Sequence, residues 1–238
     1  MTLILGLVTC GRELGAPSSP TPIASGSASE TVSTSPEPSL SPGLQPGEMP
    51  TSIAADLAPS EIPPEDLVPA GADVTGEWFA FTDSGVMVMI AWVEPGSDFS
   101  RLPHGYAVWR RHSDGPHWRA DLVERRDPED GIQGIQITTG DLTGDGSDDA
   151  LVFEGIGGSG ACGHWSVIDL ARLEETYRRD LLCDARIEPG PPESPGLILT
   201  QSVYRSGDAH CCPSATRTTT SRWTGTAWRV TDRSLVEH

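Results

Sequence analysis

Residues 135–153 read Ile135-Gln-Ile-Thr-Thr-Gly-Asp-Leu-Thr-Gly-Asp-Gly-Ser-Asp-Asp-Ala-Leu-Val-Phe153. Two runs rich in β-branched and apolar residues, Ile135–Thr138 and Ala150–Phe153, flank a loop of aspartates and glycines. Short runs of this kind, bounded by turn-forming residues, are typical of β-strands. The stretch therefore predicts a strand, a tight acidic loop and a second strand.

The acidic loop places oxygen atoms at alternating positions. Side-chain oxygens lie at Asp141, Thr143, Asp145 and Asp149, and the backbone carbonyl of Ser147 adds one more. A hard cation such as Ca²⁺ takes about six to eight oxygen ligands, and without an ion the carboxylates repel one another. We therefore expect a calcium site at these five residues, with a structural role. The alternative interpretation is a plain turn, in which the aspartates accept hydrogen bonds from nearby backbone N–H groups.

The loop is not an EF-hand, because the twelfth position counted from Asp141 is Val152 and not Glu. It resembles instead the calcium loop of FG-GAP and VCBS repeats, which reads Asp-x-Asp-x-Asp-Gly-x-x-Asp between two strands. The resemblance implies that Asp141, Asp145 and Asp149 bind calcium, and that Thr143 is a weaker, neutral ligand at a position where the family has Asp or Asn. A closed propeller needs several blades, and the sequence holds one copy of the motif.

Residues 76–238 alternate short β-type runs with turn signals, and helical periodicity is scarce. We expect a mostly β domain, an antiparallel β-meander that is propeller-blade-like or sandwich-like and is preceded by a disordered tail. The strand before the acidic loop is predicted to begin at Ile132. Apart from the two strands that flank the loop, the predicted strands are Val86–Val93, Tyr106–Arg111, Trp118–Glu124, Trp165–Leu170, Tyr177–Leu182, Leu197–Tyr204, Arg217–Trp223 and Ala227–Thr231.

Residues 11–75 form the predicted tail. They are rich in Ser, Pro and Thr and carry more acids than bases, and the first aromatic residue of the chain is Trp78. A segment of this composition buries too little apolar surface to offset the entropy lost on ordering. The weakly amphipathic stretch Ile53–Asp66 is interrupted by prolines, so we expect it to belong to the same disordered tether.

Residues 1–10 form an apolar stretch that ends at Cys10, with Leu7, Val8 and Thr9 before it. This stretch resembles the lipobox that ends a bacterial lipoprotein signal peptide, although it lacks the basic residues of an n-region. The resemblance implies that Cys10 is acylated and anchors the protein in the outer leaflet of the membrane. The alternative is a buried N-terminal strand with a core cysteine.

The negative charge of the chain excludes a protein that binds nucleic acid by neutralising its phosphates. The formal net charge is −18, whereas proteins that bind nucleic acid by neutralising phosphates need clustered cations. The longest apolar run, Val86–Val93, is also far shorter than the roughly 20 residues of a transmembrane helix.

Four cysteines remain in the domain: Cys162, Cys183, Cys211 and Cys212. In an exported protein an even number favours disulfides, and four cysteines allow three connectivities. A bridge between Cys162 and Cys183 across a hairpin would leave the adjacent pair to form a strained vicinal bridge. We therefore expect Cys162 and Cys183 each to pair with one of the adjacent cysteines.

These observations predict an exported, lipid-anchored envelope protein. We expect it to be a calcium-stabilised binding or structural module, with a cell-wall polysaccharide or a protein as its ligand. The segment Tyr204–Ser214 also resembles a loop of exported actinobacterial proteins with one FG-GAP-like motif. The alternative is an extracytoplasmic hydrolase or a metal or redox protein. Its soft nitrogen and sulfur ligands would be Cys162, His164, His210, Cys211 and Cys212.

Overall fold

The structure is a computed structural model, and it describes residues 45–54, 57–96, 98, 101–112, 117–158, 160–209 and 211–238. Within these ranges the chain is built from β-strands and three short 3-10 turns, Pro59–Glu61, Pro64–Leu67 and Pro128–Asp130. The strands are β1 Ser52–Ala54, β2 Asp73–Thr82, β3 Gly85–Val93, β4 His104–His112, β5 His117–Arg126, β6 Gly134–Gly140, β7 Asp149–Gly157, β8 Cys162–Asp169, β9 Glu174–Leu182, β10 Ala185–Pro189, β11 Leu197–Val203, β12 Ala215–Trp223 and β13 Trp228–Glu237.

The strands form three antiparallel sheets within the described ranges, which confirms the prediction of a mostly β meander. Sheet A has the order β1-β5-β4-β3-β2, sheet B has the order β6-β7-β8-β9 and sheet C has the order β10-β11-β12-β13. Apart from β1, each sheet is four consecutive strands that pair with their neighbours in the sequence. Three four-stranded meanders therefore follow one another along the chain.

Sheet B lies between the other two sheets, and strand β7 shows why. Ala150 and Val152 lie in the core cluster shared with sheet A, next to Met87 and Met89. Leu151, which lies between them on the strand, is in the cluster shared with sheet C. Because successive side chains of a strand point to opposite faces, an uninterrupted apolar run covers both faces of a middle sheet.

The prediction that residues 11–75 are a disordered tether is wrong for the residues of that range that the structure describes. Ile62, Leu67 and Val68 are buried at 3%, 0% and 2% relative exposure. They pack on the face of sheet A that points away from sheet B, against the buried rings of Trp92 and Trp109. The segment contributes few apolar side chains, but the sheet supplies large aromatic ones.

Hydrogen bonds hold this N-terminal segment to the sheet. Trp109 Nε1 donates to the carbonyl of Leu67 at 3.0 Å, inside the buried cluster. Arg125 binds the carboxylate of Glu94 and donates to the carbonyl of Gly47 at 3.4 Å. The stretch Ile53–Asp66, predicted to belong to the tether, instead contributes to strand β1, which pairs with β5, and to the 3-10 turns.

All the predicted strands are confirmed, with ends that agree to within four residues except for the last strand, which continues to Glu237 instead of ending at Thr231. Three strands were missed. Strand β1 has three residues and β10 contains a proline, so neither has a clear periodic signal. Strand β2 begins at Asp73, so the domain begins before the predicted boundary at residue 76. Among the described residues, no helix has the length and apolar character needed to cross a membrane.

Candidate functional site

The acidic loop connects β6 to β7, the first two strands of sheet B, as predicted. Its carboxylates accept hydrogen bonds from the loop backbone. Asp141 accepts from the amides of Gly144 at 2.6 Å, Asp145 at 3.1 Å and Gly146 at 3.1 Å. Asp149 accepts from the amides of Leu142 and Thr143. Gly144 and Gly146 have φ values of +79° and +89°, which glycine adopts without strain.

Asp149 is the buried acid of this loop, with 1% relative exposure. Burial raises its pKa to about 7, although hydrogen bonds from Thr143 and Leu142 lower it in part. The Thr143 hydroxyl lies near enough to Asp149 to help lower its pKa. The hydroxyl oxygen is nevertheless buried and makes no hydrogen bond of ordinary geometry with the described residues. The loop thus holds a desolvated carboxylate beside an unsatisfied hydroxyl oxygen.

The acidic loop also touches sheets A and C. Asp148 exchanges two hydrogen bonds with Phe81 of β2, and the amide of Asp83 donates to Ser147 Oγ at 3.4 Å. Leu142 of the loop is buried in the cluster that includes Ile187 and Leu197 of sheet C. One loop therefore contacts all three sheets, which suits a structural role.

The structure brings the five predicted calcium ligands, Asp141, Thr143, Asp145, Ser147 and Asp149, into one loop. Their carboxylates point toward different backbone amides, and Ser147 donates its own amide to Asp145 Oδ1 at 3.0 Å. Within the described part of the chain, no three His, Cys, Asp or Glu side chains converge in a way that could hold a metal ion. As described, the loop is a turn stabilised by its own aspartates.

The predicted disulfide connectivity is wrong. Cys162 is bonded to Cys183, while Cys211 and Cys212 are exposed free thiols. The hairpin of β8 and β9 explains the pairing, because Gly163 lies opposite Leu182 and the two cysteines come directly outside that pair. The prediction paired Cys162 and Cys183 with the adjacent cysteines, whereas the register of the hairpin pairs them with each other.

The alternative metal or redox cluster is not assembled among the described residues. Cys162 has no thiol to offer, because it is disulfide-bonded. His164 Nδ1 accepts a hydrogen bond from the amide of Leu181 at 3.3 Å, next to Asp180. His210, like the predicted lipidation site Cys10, lies outside the described residues.

A partly buried ionic network between sheets A and B was missed by the sequence analysis. Arg126 Nε donates to Glu154 Oε1 at 2.6 Å, and its Nη1 donates to Glu124 Oε2 at 2.8 Å. Burial, followed by the negative charge of Glu154, raises the pKa of the neighbouring Tyr106. Glu124 and Arg126 lie two residues apart on β5, whereas Tyr106 lies on β4 and Glu154 on β7, so the sequence alone does not show that the four residues meet.

The outer face of sheet C, which points away from sheet B, carries hydroxyl groups in register. Thr200 lies opposite Thr218, which lies opposite Ser234, and Ser202 lies opposite Thr216 in the next row. The inner-face residues Leu197 and Leu199 pack on sheet B instead. No hydrophobic cluster of described residues covers the outer face. A shallow cavity of about 320 Å³ opens on this face, lined by Gly160, Asp184, Arg186, Thr200, Ser202 and Thr216.

The chain was compared with protein-family models, with curated proteins and with solved structures. No family model matches it, and neither the curated proteins nor the solved structures gave a match.

Proposed function

We propose that this protein is an exported, lipid-anchored envelope module that binds a hydroxyl-rich ligand on the outer face of sheet C. The observation that carries the proposal is the arrangement of that face. Threonine and serine hydroxyls lie in register across β11, β12 and β13, at the end of a stack whose other sheets are covered on both faces.

A polysaccharide or an extended peptide fits this surface chemically. Each hydroxyl donates one hydrogen bond and accepts up to two, so neighbouring threonines can bind the sugar hydroxyls or backbone groups of a ligand. Adjacent strands are about 4.8 Å apart and alternate residues of one strand about 6.8 Å apart, which gives the rows a regular repeat. A cell-wall polysaccharide, itself a regular polymer, is the ligand that we propose.

Export is supported by the disulfide between Cys162 and Cys183, since such bonds persist in oxidising compartments and are rare in a reducing cytosol. We propose Cys10 as the acylated residue and the residues between Cys10 and the described segment as the tether. Replacing Cys10 with Ser should release the protein from the membrane fraction or leave it unprocessed. A Cys10→Ser protein of the same processed mass as the wild type that is retained equally in the membrane would contradict the anchor.

The ligand face is tested with purified, insoluble cell-wall polysaccharide in a sedimentation assay. The double variant Thr200→Val and Thr218→Val removes two hydroxyls of one row while it keeps their shape and β propensity. We expect the dissociation constant of the double variant to be at least tenfold higher than that of the wild type, which corresponds to a loss of about 1.4 kcal/mol in binding free energy. Thr219→Val is the matched control, because Thr219 lies on the opposite face of the same strand. Equal binding by all three proteins would overturn the proposal.

We also propose that the acidic loop binds one calcium ion, with Asp141, Thr143, Asp145, Ser147 and Asp149 as the ligands. The all-oxygen donor set, the desolvated carboxylate of Asp149 and the unsatisfied hydroxyl of Thr143 support this proposal. Binding requires Asp141 and Asp149 to turn from the loop amides, from which they accept hydrogen bonds, toward the ion. The ion would supply positive charge to the loop that contacts all three sheets. Thermal unfolding in Ca²⁺ and in chelator tests it, because a ligand that binds only the folded state raises its stability. An unchanged midpoint at millimolar Ca²⁺ would contradict it.

A further inference from the structure

Cys211 and Cys212 lie in the connection between β11 and β12 of sheet C. Both are exposed, and their sulfur atoms are 3.0 Å apart. The other two cysteines of the described chain are bonded to each other, so neither is available to this pair. Two exposed thiols therefore lie in contact on the surface.

The loop around the two thiols is held by its own hydrogen bonds. Asp208 accepts from the amide of Arg205 at 2.6 Å and from the amide of Ser214 at 3.0 Å, at the two ends of the loop. Cys212 donates its amide to the carbonyl of Ala209 at 2.9 Å. Hydrogen bonds therefore hold the described residues on both sides of the adjacent cysteines.

A structural role does not account for the pair. A disulfide stabilises a fold mainly by restricting the unfolded chain, and that contribution grows with the length of the loop that it closes. The bond between Cys162 and Cys183 closes a separation of 21 residues, whereas a bond between neighbours closes almost no loop. Exposed disulfides are also the ones most readily reduced.

We propose that Cys211 and Cys212 form a thiol–disulfide exchange site, whose substrates are small or protein disulfides. The thiolate of Cys211 attacks one sulfur of the substrate disulfide, forms a mixed disulfide and releases the first substrate thiol. The thiolate of Cys212 then attacks the sulfur of Cys211, closes the vicinal disulfide and releases the second substrate thiol. The dithiol loses two electrons and two protons, and the substrate disulfide gains them.

The order of attack follows from the contact between the thiols. The hydrogen bond with Cys211, together with burial and the negative charge of Asp208, raises the pKa of Cys212. In the proposed exchange Cys212 is assigned the second step, in which it attacks the mixed disulfide on Cys211. This activity goes beyond the proposed ligand binding and uses none of the residues assigned to it.

The test uses the full chain, reduced under native conditions and then treated with oxidised glutathione. Trypsin releases both cysteines in one peptide, Ser206–Arg217, because the cleavage sites are Arg205 and Arg217. We expect that peptide to lose the mass of two hydrogen atoms, to resist alkylation and to return to two alkylated thiols after mild reduction. The link between the peptides of Cys162 and Cys183 should persist throughout and serves as the internal control.

The single variants separate exchange from simple oxidation. Cys212→Ser should accumulate a mixed disulfide with glutathione on Cys211, and the wild type should not, because its second thiol resolves that species. Phenylarsine oxide, which binds paired thiols, should protect the reduced wild type from alkylation and should not protect either single variant. A stable glutathione adduct on the wild type, a link from this peptide to Cys10, or no reaction would each overturn the proposal.

Discussion

Asp148 and Phe81 exchange two hydrogen bonds across the junction between sheets A and B. The amide of Asp148 donates to the carbonyl of Phe81 at 2.8 Å, and the amide of Phe81 donates to Asp148 Oδ2 at 2.7 Å. The acidic loop is thereby fixed to the edge strand β2, 67 residues earlier in the chain. Because Leu142 of the same loop packs with Ile187 and Leu197 of sheet C, the conformation of the loop is coupled to the packing of all three sheets.

Replacing Asp148 with Ala should destabilise the domain by about 1 kcal/mol. The variant loses the side-chain acceptor of the Phe81 amide and keeps the backbone hydrogen bond, and the site is partly exposed to water, which limits the loss. Urea unfolding measures the change. Asp232→Ala, on the exposed strand β13, is the control and should leave the free energy of unfolding unchanged. Equal effects of the two substitutions would contradict the role of Asp148.

The stability of the domain in chelator should fall as the pH rises from 3.8 to about 7, owing to Asp149. Its pKa is raised by burial in the folded state, so the folded protein binds this proton more tightly than the unfolded chain. The contribution is complete below the unfolded pKa and is lost as the pH passes the folded pKa.

Asp149→Asn cannot ionise, and its stability should therefore fall less over this pH range than that of the wild type. Urea unfolding at a series of pH values gives the comparison, with Asp232→Asn as the control. Parallel pH profiles for wild type and Asp149→Asn would show that burial of Asp149 does not govern this dependence.

Removing the disulfide with Cys162→Ser and Cys183→Ser should cost about 3 kcal/mol, since the bond closes a separation of 21 residues. The double variant Cys211→Ser and Cys212→Ser should unfold like the wild type. Thermal and urea unfolding of the two double variants, both purified without reductant, tests this difference. A similar loss in both would mean that the adjacent thiols also stabilise the fold.

Leu67→Ala should destabilise the domain by about 2 to 5 kcal/mol, because Leu67 is fully buried on the tryptophan-rich face of sheet A. Leu235→Ala, half exposed on β13, is the size-matched control. A small effect of Leu67→Ala would indicate that residues 57–72 do not pack on the sheet and belong to the disordered tether that their composition predicts.

The strands of this fold could be predicted because their signals are local. The run Val86–Val93 and the Asp-Gly loop before Ala150 mark strands and turns without reference to distant residues. The burial of Leu67 could not be predicted in this way. It depends on Trp92 and Trp109, which lie on other strands, and the composition of residues 11–75 contains no information about them.

The candidate site was predicted in part for the same reason. The five oxygen-bearing residues of the acidic loop are neighbours in sequence, so their proximity followed from the motif. The disulfide depended on the register of the β8–β9 hairpin, which brings Cys162 to Cys183. The hydroxyl rows depend likewise on the register that places Thr200 opposite Thr218.

The measurement that bears most directly on this account is the location and oxidation state of the native protein in the cell that produces it. Intact cells would be treated with an external protease, then fractionated, alkylated without reductant and digested with trypsin. We predict a membrane-associated protein that the protease removes, with Cys162 linked to Cys183 in the untreated sample. A protein that resists the external protease because it lies in the cytosol, with both of these thiols alkylated, would contradict the proposed export.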